Sequence, residues 1–488
     1  MLQPLRARAE GAGLFPQAPC TDESPPPTRR RIIIGIQAVA VVVAAVVLLF
    51  RVTGVSAWNC VYAEDRGIFL VQALARPWHL LVPYNGYLQL LPRLLGQLVA
   101  LLPLPWAAAA FAWAGALTAA ACALFIYHAS AGYIGSRALR GVLAASLILL
   151  PIAPLELADN GVNTPWYLMI ALFWAVLWRP ESLRGKVVSA LIAFLVVTSS
   201  PLALVFTPLL VMRFLALPRS GKCWVRENAV TAGWLLGWPL QAYGMASSPM
   251  HRVGSLASPG AAAGYWAQTV VLRAFGWHIS WDLVRVLGTT GATLLCGAVL
   301  AVLLGLAWTT GGRQVRVLVP LAIATGFVYT AGSAMITSYV VSKGQAPYLV
   351  PVSFEAASRY SSLSLILLDA ALIAGADAFA ARHGGLGEVS RAALHGIFPA
   401  VARCRFRALT RGPAARAAAV LAVLAVLAAV LVPGWVTDYS YLTQRTTNGP
   451  WAPAAARDLR FCQTHEAIRL REWFKPHGVV VPCSRLVR

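Results

Sequence analysis

A helix that crosses a bilayer needs about 20 apolar residues, because it rises 1.5 Å per residue against a hydrocarbon core of about 30 Å. The segment Ile32–Phe50 reaches that length without a charged residue and follows Arg29, Arg30 and Arg31 directly. It is longer than the apolar region of a secretory leader, about 7–15 residues, and is read as a retained anchor. Ten further apolar segments follow: Pro105–Tyr127, Leu139–Leu157, Pro165–Trp178, Val187–Ser199, Pro201–Leu217, Ala229–Met245, Val286–Trp308, Val317–Val341, Ser361–Phe379 and Ala417–Val432. Only 12% of the 488 residues are charged, against about 25% in a soluble domain. Too few polar side chains exist to cover such a chain in water. Disorder, collagen and a small disulfide scaffold are excluded on the same ground. The expected fold is an all-α polytopic membrane protein of about eleven transmembrane helices, with interfacial helices and a small extracytoplasmic C-terminal cap.

The formal net charge is +22, carried by 36 Arg and 4 Lys against 18 acids. Basic residues hold membrane proteins on the cytoplasmic side, so this excess is read as topology and not as nucleic-acid binding. With the N-terminus inside, 23 basic residues fall in inner segments, 9 in outer loops and 8 in the tail. The split predicts a multi-pass cell-membrane protein with its N-terminus cytoplasmic and its C-terminus extracytoplasmic. Residues 1–31 form a disordered cytoplasmic tail, 32–432 the membrane domain and 433–488 the outer tail. The outer loops are 51–104, 246–285 and 342–360. The basic inner loop Ala380–Arg416 is read as a cytoplasmic retention signal, with anionic lipid headgroups as the alternative ligand.

The loop after the first span carries the chemistry. Glu64-Asp65 is the adjacent acid pair of the outer face before the tail. Side by side near an apolar boundary, two carboxyls raise one another's proton affinity or share a divalent cation such as Mg or Mn. The structural alternative is local neutralisation by Arg66. Asn85, Gln89, Arg93 and Gln97 recur every four residues between leucines, which predicts an interfacial helix bent at Pro92, with Arg93 offered to a lipid phosphate. Trp78, His79, Tyr84 and Tyr87 suit the aromatic belt, and the two tyrosines and Gln89 are candidates for sugar contact.

Three further groups stand out. Glu156, Asp159, Asn160, Asn163 and Trp166 crowd one outer turn, as helix caps and anchors or as carbohydrate ligands. In the loop 342–360, Lys343 and Arg359 are candidates for a donor phosphate and Tyr360 for sugar contact, against a plainer reading as headgroup anchors. Asp369 lies about ten residues into a span, where an ionisable group is costly; it is paired there or serves a proton relay. Neither a G-x-x-x-x-G-K-[ST] nor a G-x-S-x-G motif occurs. Cys462 and Cys483 share the tail and are predicted to form a disulfide, with a short helix near Ala454–Trp473 and one strand around them.

An acid pair in the first outer loop, an amphipathic surface helix after it and about eleven spans together resemble the GT-C superfamily of polytopic glycosyltransferases. The resemblance implies transfer of a sugar from a polyprenyl-phosphate donor to a glycan, lipid or protein acceptor at the outer face. It implies Asp65 as the base, Glu64 orienting it or holding a divalent ion, and Arg93, Lys343 and Arg359 on the departing phosphate. The alternative is a flippase for lipid-linked saccharides or a secondary transporter, with Asp369 in the coupling role.

Overall fold

The computed structural model describes residues 14–16, 26–151, 156–216, 227–248, 258–336, 359–382, 413–437, 445, 449–472 and 475–487. Its helices are α1 (Pro27–Arg51), α2 (Val71–Ala75), α3 (Leu90–Val99), α4 (Ala107–Ala129), α5 (Arg137–Ile148), α6 (Thr164–Leu177), α7 (Leu183–Val197) and α8 (Thr207–Ala216). They continue as α9 (Ala229–Ser247), α10 (Pro259–Trp266), α11 (Trp277–Thr310), α12 (Arg313–Ile336), α13 (Arg359–Arg382), α14 (Pro413–Thr437) and α15 (Trp451–Phe461). A helix lies at each apolar segment of the sequence. Five stretches are long and apolar enough to cross a membrane: Thr28–Arg51, Leu104–Gly132, His278–Thr310, Arg313–Met335 and Arg359–Arg382. Others are shorter. With 14, 15 and 10 residues, α6, α7 and α8 reach only about 21, 22 and 15 Å. Between α7 and α8, Pro201 cannot donate to the helix ladder and Ser200 caps the new turn by accepting the Leu202 amide at 3.3 Å.

Apolar residues are distributed as in a membrane protein. Ile32, Ile36, Val39 and Phe50 on α1, and Val286, Leu294 and Val302 on α11, are uncovered. Such faces suit lipid, because soluble monomers rarely leave apolar patches of this extent in water. α13 and α6 form the centre, buried along nearly their whole lengths. α13 packs on α11, α12 and α5, while α1 and α6 pack on α4. Buried arginines close helix ends inside the bundle. Arg51 donates to the carbonyls of Leu150 (2.8 Å), Ile148 and Gly434. Arg213 donates to the Val176, Trp178 and Glu227 carbonyls.

Several expectations change. Leu14 and Phe15 of the N-terminal tail pack on the bundle: Tyr133 donates to the Leu14 carbonyl, and the Arg213 guanidinium lies over the Phe15 ring. The predicted outer loop 246–285 is largely helical where described, through α10, a π turn at Ala267–Leu272 and the start of α11. The four-residue polar stripe is not one helix. Asn85 (φ 53°) and Gly86 (φ 83°) form the tight turn of a Tyr84–Tyr87 bridge, a pairing that requires two positive φ angles and suits Asn-Gly. α3 starts only at Leu90, so Pro92 falls in its first turn, where a missing amide is harmless, and no bend results. The basic segment 380–416 lies outside the described residues beyond Arg382 and before Pro413.

The tail is a cap with more strand than expected. α15 stops at Phe461, and the following charged stretch is strand β1 (Ala467–Glu472), antiparallel to β2 (Lys475–Pro482) with Ala467 opposite Pro482 and Leu470 opposite Val479. Alternation of Ile468 and Leu470 with Arg469 and Arg471 is the period of a half-buried strand, and it overrides the helical reading. Cys462 and Cys483 are disulfide-bonded, with Cα atoms 5.2 Å apart. Val61, Leu70, Leu74 and Phe111 share an apolar core with Trp451, Ile468, Val481 and Leu486, and Arg485 donates to the Leu74 and Ala75 carbonyls. The cap is thus joined to the first loop. Closing a loop between residues 21 apart contributes about 3 kcal/mol. Replacing both cysteines by serine is expected to lower cap stability by about that amount, read as earlier protease cleavage of the tail; equal protease resistance would contradict the covalent tie.

Candidate functional site

The site is built on an irregular turn. α5 ends at Ile148 and α6 begins at Thr164, and the chain leading into α6 at 158–163 has no regular structure. Two asparagine side chains supply the hydrogen bonds that a helix would have made. Asn160 Nδ2 donates to the Glu156 carbonyl at 2.7 Å and the Ala158 carbonyl at 2.9 Å, while its Oδ1 accepts the Asn163 amide at 2.9 Å. Asn163 Nδ2 donates to the Glu156 carbonyl at 2.8 Å, and its Oδ1 accepts Trp166 Nε1 at 3.0 Å. These amides satisfy buried backbone groups that no helix or strand serves. Their atoms are engaged in the loop's own framework, which leaves little for a sugar. The loop presses on α4 at Gly115, where an added Cβ would stand 2.6 Å from the Asn160 backbone.

Asp65 opens a π turn, Asp65–Leu70, and is fully buried. Its Oδ2 accepts the Gly161 amide at 2.7 Å, which ties the first loop to the asparagine loop. Burial pushes this carboxyl up to about 8; the Gly161 amide opposes that shift, the Glu64 charge adds to it and the Val162 amide opposes it. Glu64 is half-buried, and its Oε2 has no hydrogen-bond partner among the described residues. Glu156 is buried and bound by Arg359 Nη1 at 2.7 Å, with the Tyr62 hydroxyl donating at 3.4 Å.

Tyrosines surround these acids. Tyr62, Tyr84 and Tyr87 all feel the charges of Glu64 and Arg359, and burial raises each hydroxyl well above its ordinary value. The Arg359 guanidinium lies 5.2 Å from the Tyr360 ring centre, and Tyr360 meets Trp166 edge-on at 5.5 Å. Glu64, Asp65, Arg359, Tyr84, Tyr87, Tyr360 and Trp166, each a candidate from the sequence, therefore gather at one end of the bundle. Tyr62 joins them without any sequence signal of its own. The pairing of Glu156 with Arg359 spans 203 residues, and no local pattern signals it.

Other candidates lie elsewhere. Arg93 donates to Gln72 Oε1 at 2.7 Å and stands 5.7 Å from the Phe69 ring centre, with Phe69 between it and Tyr84 in a chain of ring contacts. Gln89 is buried just ahead of α3. Asp369, ten residues or about 15 Å along α13 from Arg359, is buried on a helix that packs against α5. Lys343 lies outside the described residues. Among the described residues no group of three His, Cys, Asp or Glu side chains is placed to hold a metal ion. Of the acid pair, Asp65 Oδ2 is taken up by the Gly161 amide. Comparison of the chain with protein-family models, curated proteins and solved structures finds no match.

The buried carboxyl makes stability depend on pH. Between about pH 4 and 8 folded Asp65 keeps a proton that the unfolded chain, at its ordinary 3.8, has released. Stability conferred by the protonated group is present in full below that window and is lost as pH rises through about 8. The unfolding temperature of the wild type relative to Asp65→Asn is expected to fall across about pH 4–8, followed by tryptophan fluorescence in detergent. A pH-independent difference would contradict the burial. Gly115→Ala is expected to displace the asparagine loop and cost about 1–3 kcal/mol, measured by chemical denaturation against the unchanged parent.

Proposed function

We propose that the chain is a membrane glycosyltransferase of the GT-C type. It crosses the cell membrane about eleven times, with its N-terminus cytoplasmic and the acid cluster on the extracytoplasmic side, the orientation that the distribution of basic residues favours. The donor is a sugar on a polyprenyl phosphate, and the acceptor is an envelope glycan, lipid or protein. The observation that carries this reading is the meeting of Glu64, Asp65, Glu156 and Arg359 with the surrounding tyrosines at one end of an apolar helical bundle.

Glu64 takes the base's role in this proposal. Asp65 has no exposed surface and accepts the Gly161 amide, so an acceptor hydroxyl does not reach it; its part is to fix the turn that presents Glu64. As the acceptor oxygen bonds to the anomeric carbon, its proton passes to Glu64. The bond from that carbon to the phosphate oxygen breaks, its electron pair leaves with the polyprenyl phosphate, and the configuration inverts. Arg359 stabilises the leaving phosphate, while Glu156 and the Tyr360 ring hold its guanidinium in place. Tyr84 and Tyr87 line the sugar's side.

Turnover of a radiolabelled polyprenyl-phosphate sugar by membranes containing the protein tests the reading. Glu64→Gln is expected to reduce turnover by about 100-fold or more while leaving the protein folded, since general-base catalysis contributes about 10²–10⁴. Wild-type rates in that variant, or no turnover by the unmodified protein with any polyprenyl-phosphate sugar, would remove the assignment.

A further inference from the structure

The turn that carries the acids has a second neighbour. Beside Arg66, Gly67 and Leu70 lies a cavity of about 270 Å³, closed on the cap side by Trp451, Asp458 and Arg471. Trp451 is buried and fixed by its Nε1, which donates to the Leu104 carbonyl at 3.0 Å. The Arg66 guanidinium stands 5.4 Å from the centre of the Trp451 ring. Asp458, the one acid in this lining, is engaged by Arg457 at 3.3 Å. Arg66 and Arg471 form no ion pair among the described residues. Asp458 also holds the charge of Arg66, so Arg66 and Arg471 line a cavity in which cations outnumber the acid, next to an indole and an aliphatic wall.

We propose that this cavity binds an anionic sugar, a pyranose that carries a carboxylate or a phosphate. Guanidinium groups pair with such oxyanions through two parallel hydrogen bonds. The indole and the leucines suit the C–H face of a ring. The volume lies just below the range of small-molecule pockets, about 300–1,000 Å³, and fits one ring rather than a chain of them. Arg66 follows Glu64 by two positions, and the cavity serves as a subsite for an acidic unit of the acceptor. That the ligand is a sugar rests on the function proposed above; recognition of an anion rests on the cavity alone.

Isothermal titration calorimetry on detergent-purified protein tests this, with both wild-type and Glu64→Gln protein as receptor so that no turnover is needed. The probes are glucuronate and glucose 1-phosphate, against glucose and inorganic phosphate. Saturable binding of an anionic sugar is expected, at least about tenfold tighter than either control and at least about tenfold weaker in Arg66→Gln and in Arg471→Gln. Arg66→Lys keeps the charge and is expected to retain part of the affinity, while unfolding temperature verifies that each variant is folded. Absence of saturable binding, equal binding of glucose, or unchanged binding in the double glutamine variant overturns the proposal. Tight binding without glycosyl transfer would defeat the catalytic reading and keep the anion site; transfer without binding would do the reverse.

Discussion

Helix ends inside an apolar bundle leave backbone carbonyls without partners, and the satisfaction of those carbonyls governs this structure. Arginine meets the need repeatedly. Arg51 reaches the carbonyls that end α5, and Arg445 reaches Leu49 and Val52 at the end of α1 while pairing with buried Asp159. One planar group with five donors can serve several acceptors at once, which a lysine cannot do with the same geometry. The asparagine loop, the end of α1 and Arg445 are thereby locked together. That lock is the floor on which Asp65 rests.

Much of the fold was legible in the sequence because apolar runs leave few alternatives. A helix stands at each predicted segment, and some are short for visible reasons such as Pro201. Irregular backbone was harder to read. Four-residue spacing from Asn85 to Gln97 suggests a helix, yet the Asn-Gly step inside it is a stronger local signal, since positive φ at both residues closes a turn. In the tail, Arg469 resembles a helix charge but belongs to the outward half of a strand whose other half packs into the second core, and the pairing is irregular after Leu470.

The candidate site was legible only in part for a related reason. Glu64 and Asp65 announce themselves as a pair, but their inequality does not: Asp65 is enclosed and accepts the Gly161 amide, while Glu64 is only half-buried. Asn160 and Asn163 suggest ligands because polar residues near a helix start are rare in such a chain, and the structure uses them as substitutes for missing backbone partners. The partnership of Glu156 with Arg359 depends on how α13 is threaded past the asparagine loop, which spacing along the chain does not encode.

The length of α6 has one more consequence. With 14 residues, all buried, it extends about 21 Å, roughly 9 Å less than a hydrocarbon core. Lipid does not touch it, so its apolar composition records neighbours made of protein. The non-helical stretch leading into it is buried as well, so its peptide groups depend on the asparagine side chains for their partners.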